Sequence, residues 1–289
     1  MSGPLLAIDG PFVLYRSFFA LPDSITGAGG HPVNALLGAT NLILRIAADR
    51  DPRAIVVCFG AEAARYRTEL YPPYHAARPP VPEDLARQFE QAPGLFGAFG
   101  WSSAGSDDLE ADDLLGALAT AEAAAGGSTL ILTGDRDMYQ CATAQTSVLY
   151  LKQGSRGFEQ VDPGEVRARY GIDPEQVPDF IALRGDPSDG LPGAPGIGAK
   201  TATTLLGRHR TLEAVIAHAG NERPRIAAAL TDNADELRAF REIATLRPTQ
   251  LALPADRPTD LAGGAAAARG LGMNRLAERL EAAGALADL

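Results

Sequence analysis

Apolar residues in this chain fall into two patterns. The first is a short unbroken run bounded by turn residues, which predicts a strand buried on both faces. Leu5–Ile8 ends at Asp9-Gly10, Arg53–Phe59 at Gly60, Ser128–Thr133 at Gly134-Asp135, and Val148–Leu151 is a fourth such run. A further candidate strand lies near Gly100–Ser103. The second pattern is apolar residues at helical spacing, over Val33–Ala48, residues 83–99 and Asp108–Ala125. Residues 61–82 follow neither. Arg, Tyr and Pro crowd there without a period, which predicts a mobile or protruding excursion.

Strands that alternate with helices predict an α/β fold with a mainly parallel sheet. After about residue 163 the strand pattern nearly stops. Asp162-Pro163 and Asp173-Pro174 each pair a cap with a proline suited to a helix start. Residues 199–246 read as several short helices, and the alanine-rich tail, 261–289, as helical. The expected organisation is a core over 1–160 and a helical region over 161–289, with no internal repeat and no room for a polymerase or a second catalytic domain.

Composition narrows the function classes. The 289 residues are 46% hydrophobic, enough to bury a sizeable core. The opening MSGPLLAIDG has neither a basic segment nor a long apolar run, so a cytoplasmic location is expected. No stretch of about 18 apolar residues predicts a membrane span. Cys58 and Cys141 read as free thiols. A net charge of −10 argues, as a bulk figure, against nucleic acid as a partner. The acids are clustered, however, and bound divalent metal would offset part of that charge.

Where the carboxylates stand is more informative. Asp9 follows the first strand, and Asp135 and Asp137 follow the third. In open parallel sheets, sites form beyond the carboxyl ends of the strands, so these acids should converge on one edge. Glu110, Asp112 and Asp113 open a helix, and Asp186 and Asp189 sit in the glycine-bounded loop Gly185–Gly190. Singly, each acid fits a cap or a turn. Together they would repel one another unless cations held them, and an oxygen-only ligand set suits Mg²⁺ or Mn²⁺. Two such ions can activate a water and stabilise the leaving oxygen of a phosphodiester. No Ser/His/Asp pattern or glycine-rich phosphate loop offers a competing chemistry.

A second motif follows the acidic loop directly. In Leu191–Ala202 glycines allow close backbone approach to a phosphate, and a helix N-terminus then favours an anion, with Lys200 adding charge and Arg208, His209 and Arg210 continuing the basic stretch. Ile8-Asp9-Gly10, Glu110-Ala111-Asp112-Asp113, Thr133–Asp137 and Gly185–Gly193, taken in this order and spacing, resemble the 5′-nuclease domain of bacterial DNA polymerase I and its free-standing bacterial and phage relatives. Pro195–Ala202 resembles that family's helix–three-turn–helix, which grips duplex DNA by the backbone of one strand. The resemblance spans roughly residues 4–250.

The resemblance implies a PIN-like, mainly parallel sheet flanked by helices, with a helical arch over 61–82 and a C-terminal helix–three-turn–helix over about 185–218. It implies a 5′-flap endonuclease or 5′-3′ exonuclease holding two or three Mg²⁺ or Mn²⁺, with K⁺ at the helix–three-turn–helix. Asp9, Glu110 and Asp112 match ligands of a first metal, Asp137, Asp186 and Asp189 those of a second, Asp135 lies near both, and Asp113 matches an accessory acid. Arg67, Tyr71, Tyr74, His75 and Arg78 match the arch, where they would clamp and stack a threaded strand. Gly196, Gly198, Lys200 and Thr201 match the duplex-gripping turn. The implied substrate is branched or nicked duplex DNA with a 5′ single strand, handled by a monomer alongside DNA polymerase I and ligase, away from any membrane.

Two positions depart from the family. Gly60 stands where an aspartate is usual, which removes one carboxylate from the first metal site; Glu62 is displaced along the chain. On this reading Gly60→Asp lowers the metal requirement, unless a positive φ strains it. His75 stands where a lysine is usual and replaces a fixed cation with a titratable one. These departures favour a rival reading, a DNA-junction-binding homologue with weakened catalysis. A PIN-type ribonuclease is a third, disfavoured by the helix–three-turn–helix.

Overall fold

The computed structural model of the chain describes residues 3–152 and 157–287. Strands β1 (Leu5–Asp9), β2 (Ala54–Phe59), β3 (Ser102–Gly105), β4 (Thr129–Thr133), β5 (Thr146–Leu151) and β6 (Phe158–Val161) form one sheet in the order β3-β2-β1-β4-β5-β6. The first five are parallel, and β6 runs antiparallel to β5. The sequence did not predict β6, a four-residue edge strand of mixed polarity with only Val161 buried.

Helices α1 (Gly10–Ala20), α2 (Asn34–Arg50), α3 (Arg65–Leu70), α4 (Glu83–Ala98) and α5 (Ala111–Ala124) lie within the strand region. After the sheet come α6 (Pro163–Tyr170), α7 (Val177–Arg184), α8 (Ala199–His209), α9 (Leu212–Ala217), α10 (Pro224–Thr231), α11 (Ala234–Ala244), α12 (Leu261–Gly270) and α13 (Asn274–Ala287). The turn expected at Asp9-Gly10 is instead the start of α1. Asp9 caps that helix by accepting the Phe12 N–H at 2.9 Å, and Pro11 stands in its first turn.

Both sheet faces are covered, and the period of two divides the core between them. Leu5, Ala7, Val56, Cys58, Ile131 and Val148 pack with α5 and with α6–α11, through Leu118, Phe180, Leu205 and Phe240 among others. Leu6, Ile8, Ile55, Val57, Leu132 and Leu149 pack on the opposite face with α1, α2, α4, α12 and α13, through Leu14, Ile43, Phe96 and Leu276. Each of the Leu, Ile, Val and Phe side chains among them contributes about 1.5–3 kcal/mol on full burial. The helices after residue 161 thus divide between the two faces. An irregular segment leads back across the molecule, held where Arg257 donates to the Arg53 carbonyl and Asp260 to that of Phe99, both at 2.8 Å. Arg53 pairs with Glu122 and Asp256 beneath it.

The site follows from the strand order. β1 has β2 on one side and β4 on the other, so the chain winds outward in both directions from the β1/β4 boundary. The connecting segments part there and leave a crevice at the carboxyl ends of the strands. Among the described residues no helix is long and apolar enough to cross a membrane.

Candidate active site

The acids at the crevice are tied together by the backbone that carries them. Asp9 ends β1, and its Oδ2 accepts the Thr133 hydroxyl from the end of β4 at 2.7 Å. Thr133 Oγ1 in turn accepts the Asp135 N–H at 3.0 Å, and Asp135 Oδ1 accepts the Asp137 N–H at 2.8 Å. This chain of hydrogen bonds spans the switch point and sets three carboxylates side by side. Glu110 caps α5 and Asp112 lies in its first turn, where the exposed N–H groups favour negative charge.

The acidic loop closes on itself. Asp186 and Leu191 exchange backbone hydrogen bonds at 2.8 Å each. Beneath that bridge Gly185 (φ 80°) and Gly193 (φ 67°) meet backbone to backbone; a Cβ on Gly193 would stand 2.2 Å from the Gly185 nitrogen. Both positions therefore require glycine, for space and for φ. Asp186 Oδ1 accepts the Ser188 N–H at 2.9 Å, and Asp189 faces the arch.

A cleft of about 840 Å³ brings Asp9, Glu110, Asp112, Asp135, Asp186 and Asp189 together, with Phe12, Tyr15 and Phe89 as an aromatic wall. Asp137 and Asp113 are not among the residues that line it, though the Asp137 N–H donates to Asp135 Oδ1. Burial pushes Asp112 and Asp137 well above the usual carboxylate range, and the charge of Asp135 adds to both. Asp135 itself is pushed up to about 7, by burial first and then by Asp189 and Asp9. Burial also raises Asp9, against the lowering effect of the Phe12 N–H and the Thr133 hydroxyl. Asp189 moves the other way: burial raises it, but the hydrogen bond from His75 and the charges of His75 and Arg78 outweigh that.

Such a wall of oxygen donors, unfavourable as a set of free anions, fits hard divalent cations, which would draw the protons off. Among the described residues no three Asp, Glu, His or Cys side chains close on one point as a finished metal cage. The carboxylates line an open cleft instead, an arrangement compatible with an ion such as Mg²⁺ that keeps several of its waters.

Two family models match the chain in succession: the N-terminal resolvase-like domain of the 5′-3′ exonucleases over residues 4–171, and their C-terminal SAM fold over 172–261. A 5′-3′ exonuclease of Mycobacterium tuberculosis is 35% identical over 284 residues, 89% of each chain. This chain belongs to the 5′-3′ exonuclease family.

Other relatives of this exonuclease-family chain are domains of larger proteins. DNA polymerase I of Mycobacterium bovis is 35% identical over 243 residues, which make up 84% of this chain and 27% of the polymerase. The chain thus spans about a quarter of such polymerases. The fold matches crystal structures of the T5 D15 protein co-crystallised with metal ions (TM-score 0.72, 16% identity, covering 96% of this chain and 98% of that one) and of the catalytic core of Rad2 in complex with DNA substrate (TM-score 0.65, 15% identity, 96% and 90%). The architecture is accordingly a PIN-like parallel sheet with a helical SAM-type region.

In this chain residues 61–82, the expected arch, do not stand clear of the body. Arg67, on α3, is only 3% exposed. Its guanidinium pairs with Glu110 Oε2 at 2.8 Å and Asp113 Oδ1 at 3.0 Å, and donates to the Ile243 carbonyl of α11. It is committed to the protein and not free to clamp DNA. Tyr74 is buried and donates to Glu110 Oε2, while Tyr71 packs edge-on against Phe240, 5.1 Å between ring centres. Both aromatics anchor the arch to the core and are not presented for stacking. Arg247 covers Tyr66, 3.4 Å from the ring centre.

These contacts also change the place of two acids. Glu110 Oε1 accepts the Ala64 N–H at 2.7 Å, and Oε2 receives Arg67 and Tyr74, so its oxygens are largely taken by the arch. Asp113 accepts the N–H groups of Glu110 and Arg247 as well as Arg67, so its work is structural. Arg78 remains exposed at the rim and donates to Asp189 Oδ1 at 3.0 Å. His75 stacks on Tyr74 and bridges the Glu62 carbonyl (3.0 Å) and Asp189 (3.1 Å). Gly196, Gly198, Lys200 and Thr201 lie outside the cleft at the start of α8, with Gly198 as its cap and Lys200 exposed.

Sequence reading missed Thr133, which hydrogen-bonds both Asp9 and the Asp135 backbone, and Arg184, a basic residue in the cleft lining. Their neighbours in sequence, Gly134-Asp135 and Gly185-Asp186, were the available pointers.

Proposed function

We propose that the chain is a structure-specific 5′-nuclease that hydrolyses phosphodiesters in branched or nicked DNA bearing a 5′ single strand. The observation that carries this reading is the convergence of Asp9, Asp112, Asp135, Asp186 and Asp189 on one cleft in a member of the 5′-3′ exonuclease family. Asp9, Asp112 and Asp135 would hold a first Mg²⁺ or Mn²⁺, and Asp137, Asp186 and Asp189 a second. Glu110 and Asp113 orient the start of α5 from behind. Bound there, the ions would supply an activated water and stabilise the leaving oxygen. Arg78, exposed at the rim, receives the phosphates of the 5′ strand. The turn Gly196–Lys200 and Thr201 hold the duplex by its backbone, with K⁺ as an added counter-charge. Polymerase I and ligase would act before and after it on the same DNA. The binding-only reading rests on Gly60 and His75 alone, and the carboxylates gathered in the cleft weigh against it.

A gel assay with a 5′-flap DNA, the equivalent RNA and a blunt duplex, with and without Mn²⁺, tests the reading. The flap DNA is expected to be cut only with metal, and Asp112→Asn to abolish cutting while flap binding survives. Turnover in excess chelator, or a preference for RNA, overturns it.

A further inference from the structure

We infer that Arg184 is a phosphate-binding residue of the cleft, its guanidinium taking a phosphodiester of the strand laid across the acid wall. The inference rests on the nuclease reading and adds a substrate contact to it. Arg184 is the last residue of α7, and Gly185 then turns the chain into the acidic loop. Its side chain lines the same cleft as Asp9, Asp112 and Asp135. At 24% exposure it is too enclosed for a solvated surface cation, yet open to a ligand.

The hydrogen bonding of this guanidinium is incomplete. Nη2 donates to Asp186 Oδ2 at 3.2 Å, Cζ lies 5.2 Å from the Phe180 ring centre, and Nε is buried with no partner among the described residues. A buried cationic N–H left without an acceptor is costly and calls for a cause. A purely structural arginine in this molecule behaves differently: Arg53 places both Nε (2.9 Å) and Nη2 (2.5 Å) on Glu122. Arg184 makes a single long contact to a carboxylate whose other oxygen is already held by Ser188. The guanidinium is therefore not saturated by its protein partners, and turning its side chain toward the cleft would offer its N–H groups to an oxyanion. A phosphodiester matches it, because two parallel N–H groups meet two phosphate oxygens. When a cation takes Asp186, the one carboxylate contact that competes for the fork is removed.

The test compares Arg184→Ala and Arg184→Lys in the full chain. Flap binding is measured by fluorescence anisotropy across a salt series with Mg²⁺ present, in an Asp112→Asn background. Single-turnover cutting is measured in the otherwise native chain. Arg184→Ala is expected to weaken binding about tenfold, to lower the salt slope by roughly 0.9 for one lost phosphate contact, and to slow cutting by about 10- to 100-fold. Arg184→Lys should restore the slope but not the rate, since a point charge lacks the fork. Unchanged binding and slope in Arg184→Ala overturns the inference. So does tighter metal binding with DNA binding intact, which would make Arg184 only a counter-ion for Asp186. If Arg184→Ala melts early, Arg184→Gln gives the same reading with the side-chain volume retained. Failure of the native chain to cut any DNA counts against the nuclease reading instead, and the salt slope still reports on Arg184.

Discussion

Gly60 offers the sharpest check on how this site is built. A Cβ at this position would stand 2.3 Å from the Ala111 nitrogen, 2.4 Å from the Glu110 carbonyl carbon and 2.6 Å from the Glu110 Cα. These are backbone atoms at the start of α5, so no side-chain rotation relieves the clash. Gly60 is not among the glycines with positive φ, so the obstacle is space and not backbone conformation. Restoring an ordinary contact of about 3.5 Å moves the start of α5 by roughly 1 Å. That displacement carries Glu110 and Asp112 with it. Overpacking of this kind costs about 1–3 kcal/mol, and a 1 Å misplacement of reacting groups can cost on the order of a hundredfold in rate. The expectation from sequence, that Gly60→Asp adds a metal ligand and lowers the metal requirement, is therefore reversed. Gly60→Ala and Gly60→Asp share the steric insult, and only the second adds a carboxylate. Thermal melts and metal-titrated cutting of one flap substrate should show both destabilised and slowed, with no shift of the Asp variant's metal curve to lower concentration. A Gly60→Ala protein with native melting and native cutting would refute the steric account, and a left-shifted curve in Gly60→Asp would restore the ligand account.

Three further outcomes are expected. Arg67→Ala leaves Glu110 and Asp113 facing each other without their cation, which should destabilise the fold by about 3–5 kcal/mol in a denaturation series; Arg67→Lys should recover only part of this, as one ammonium cannot reach both acids and the Ile243 carbonyl. The metal-free protein should lose stability as pH rises from about 4 toward 7, because raised carboxyls such as Asp135 (about 7) bind protons more tightly folded than unfolded, and that stability is lost on passing the folded pKa. Mg²⁺ should then raise the melting temperature more at pH 8 than at pH 5, and an equal rise at both would refute the assignment. Lys200→Ala should weaken flap binding equally across DNA sequences and lower the salt slope by roughly one; a sequence-dependent loss would show that the turn reads bases.

The parts of this protein legible from its sequence are those governed by short-range periodicity. Leu5–Ile8, Arg53–Phe59, Ser128–Thr133 and Val148–Leu151 are strands because an unbroken apolar run can be buried only between two covered faces, and the acids that follow two of them meet because parallel strands share one carboxyl edge. The capped helices at Pro163 and Ala199 were legible for the same local reason. Tertiary structure alone decided the rest. Arg67, Tyr71 and Tyr74 look like strand-gripping residues in a polar, proline-rich segment, yet their partners Asp113, Phe240, Ile243 and Glu110 lie far along the chain, and no local pattern encodes such contacts. Gly60 looks like a lost ligand until Glu110 and Ala111 are found against its Cα. Arg184 looks like the end of a helix until the loop after it turns its guanidinium into the cleft. Periodicity records which face of an element is buried. Which groups then meet there depends on how elements distant in sequence pack, and that is settled only when the chain has folded.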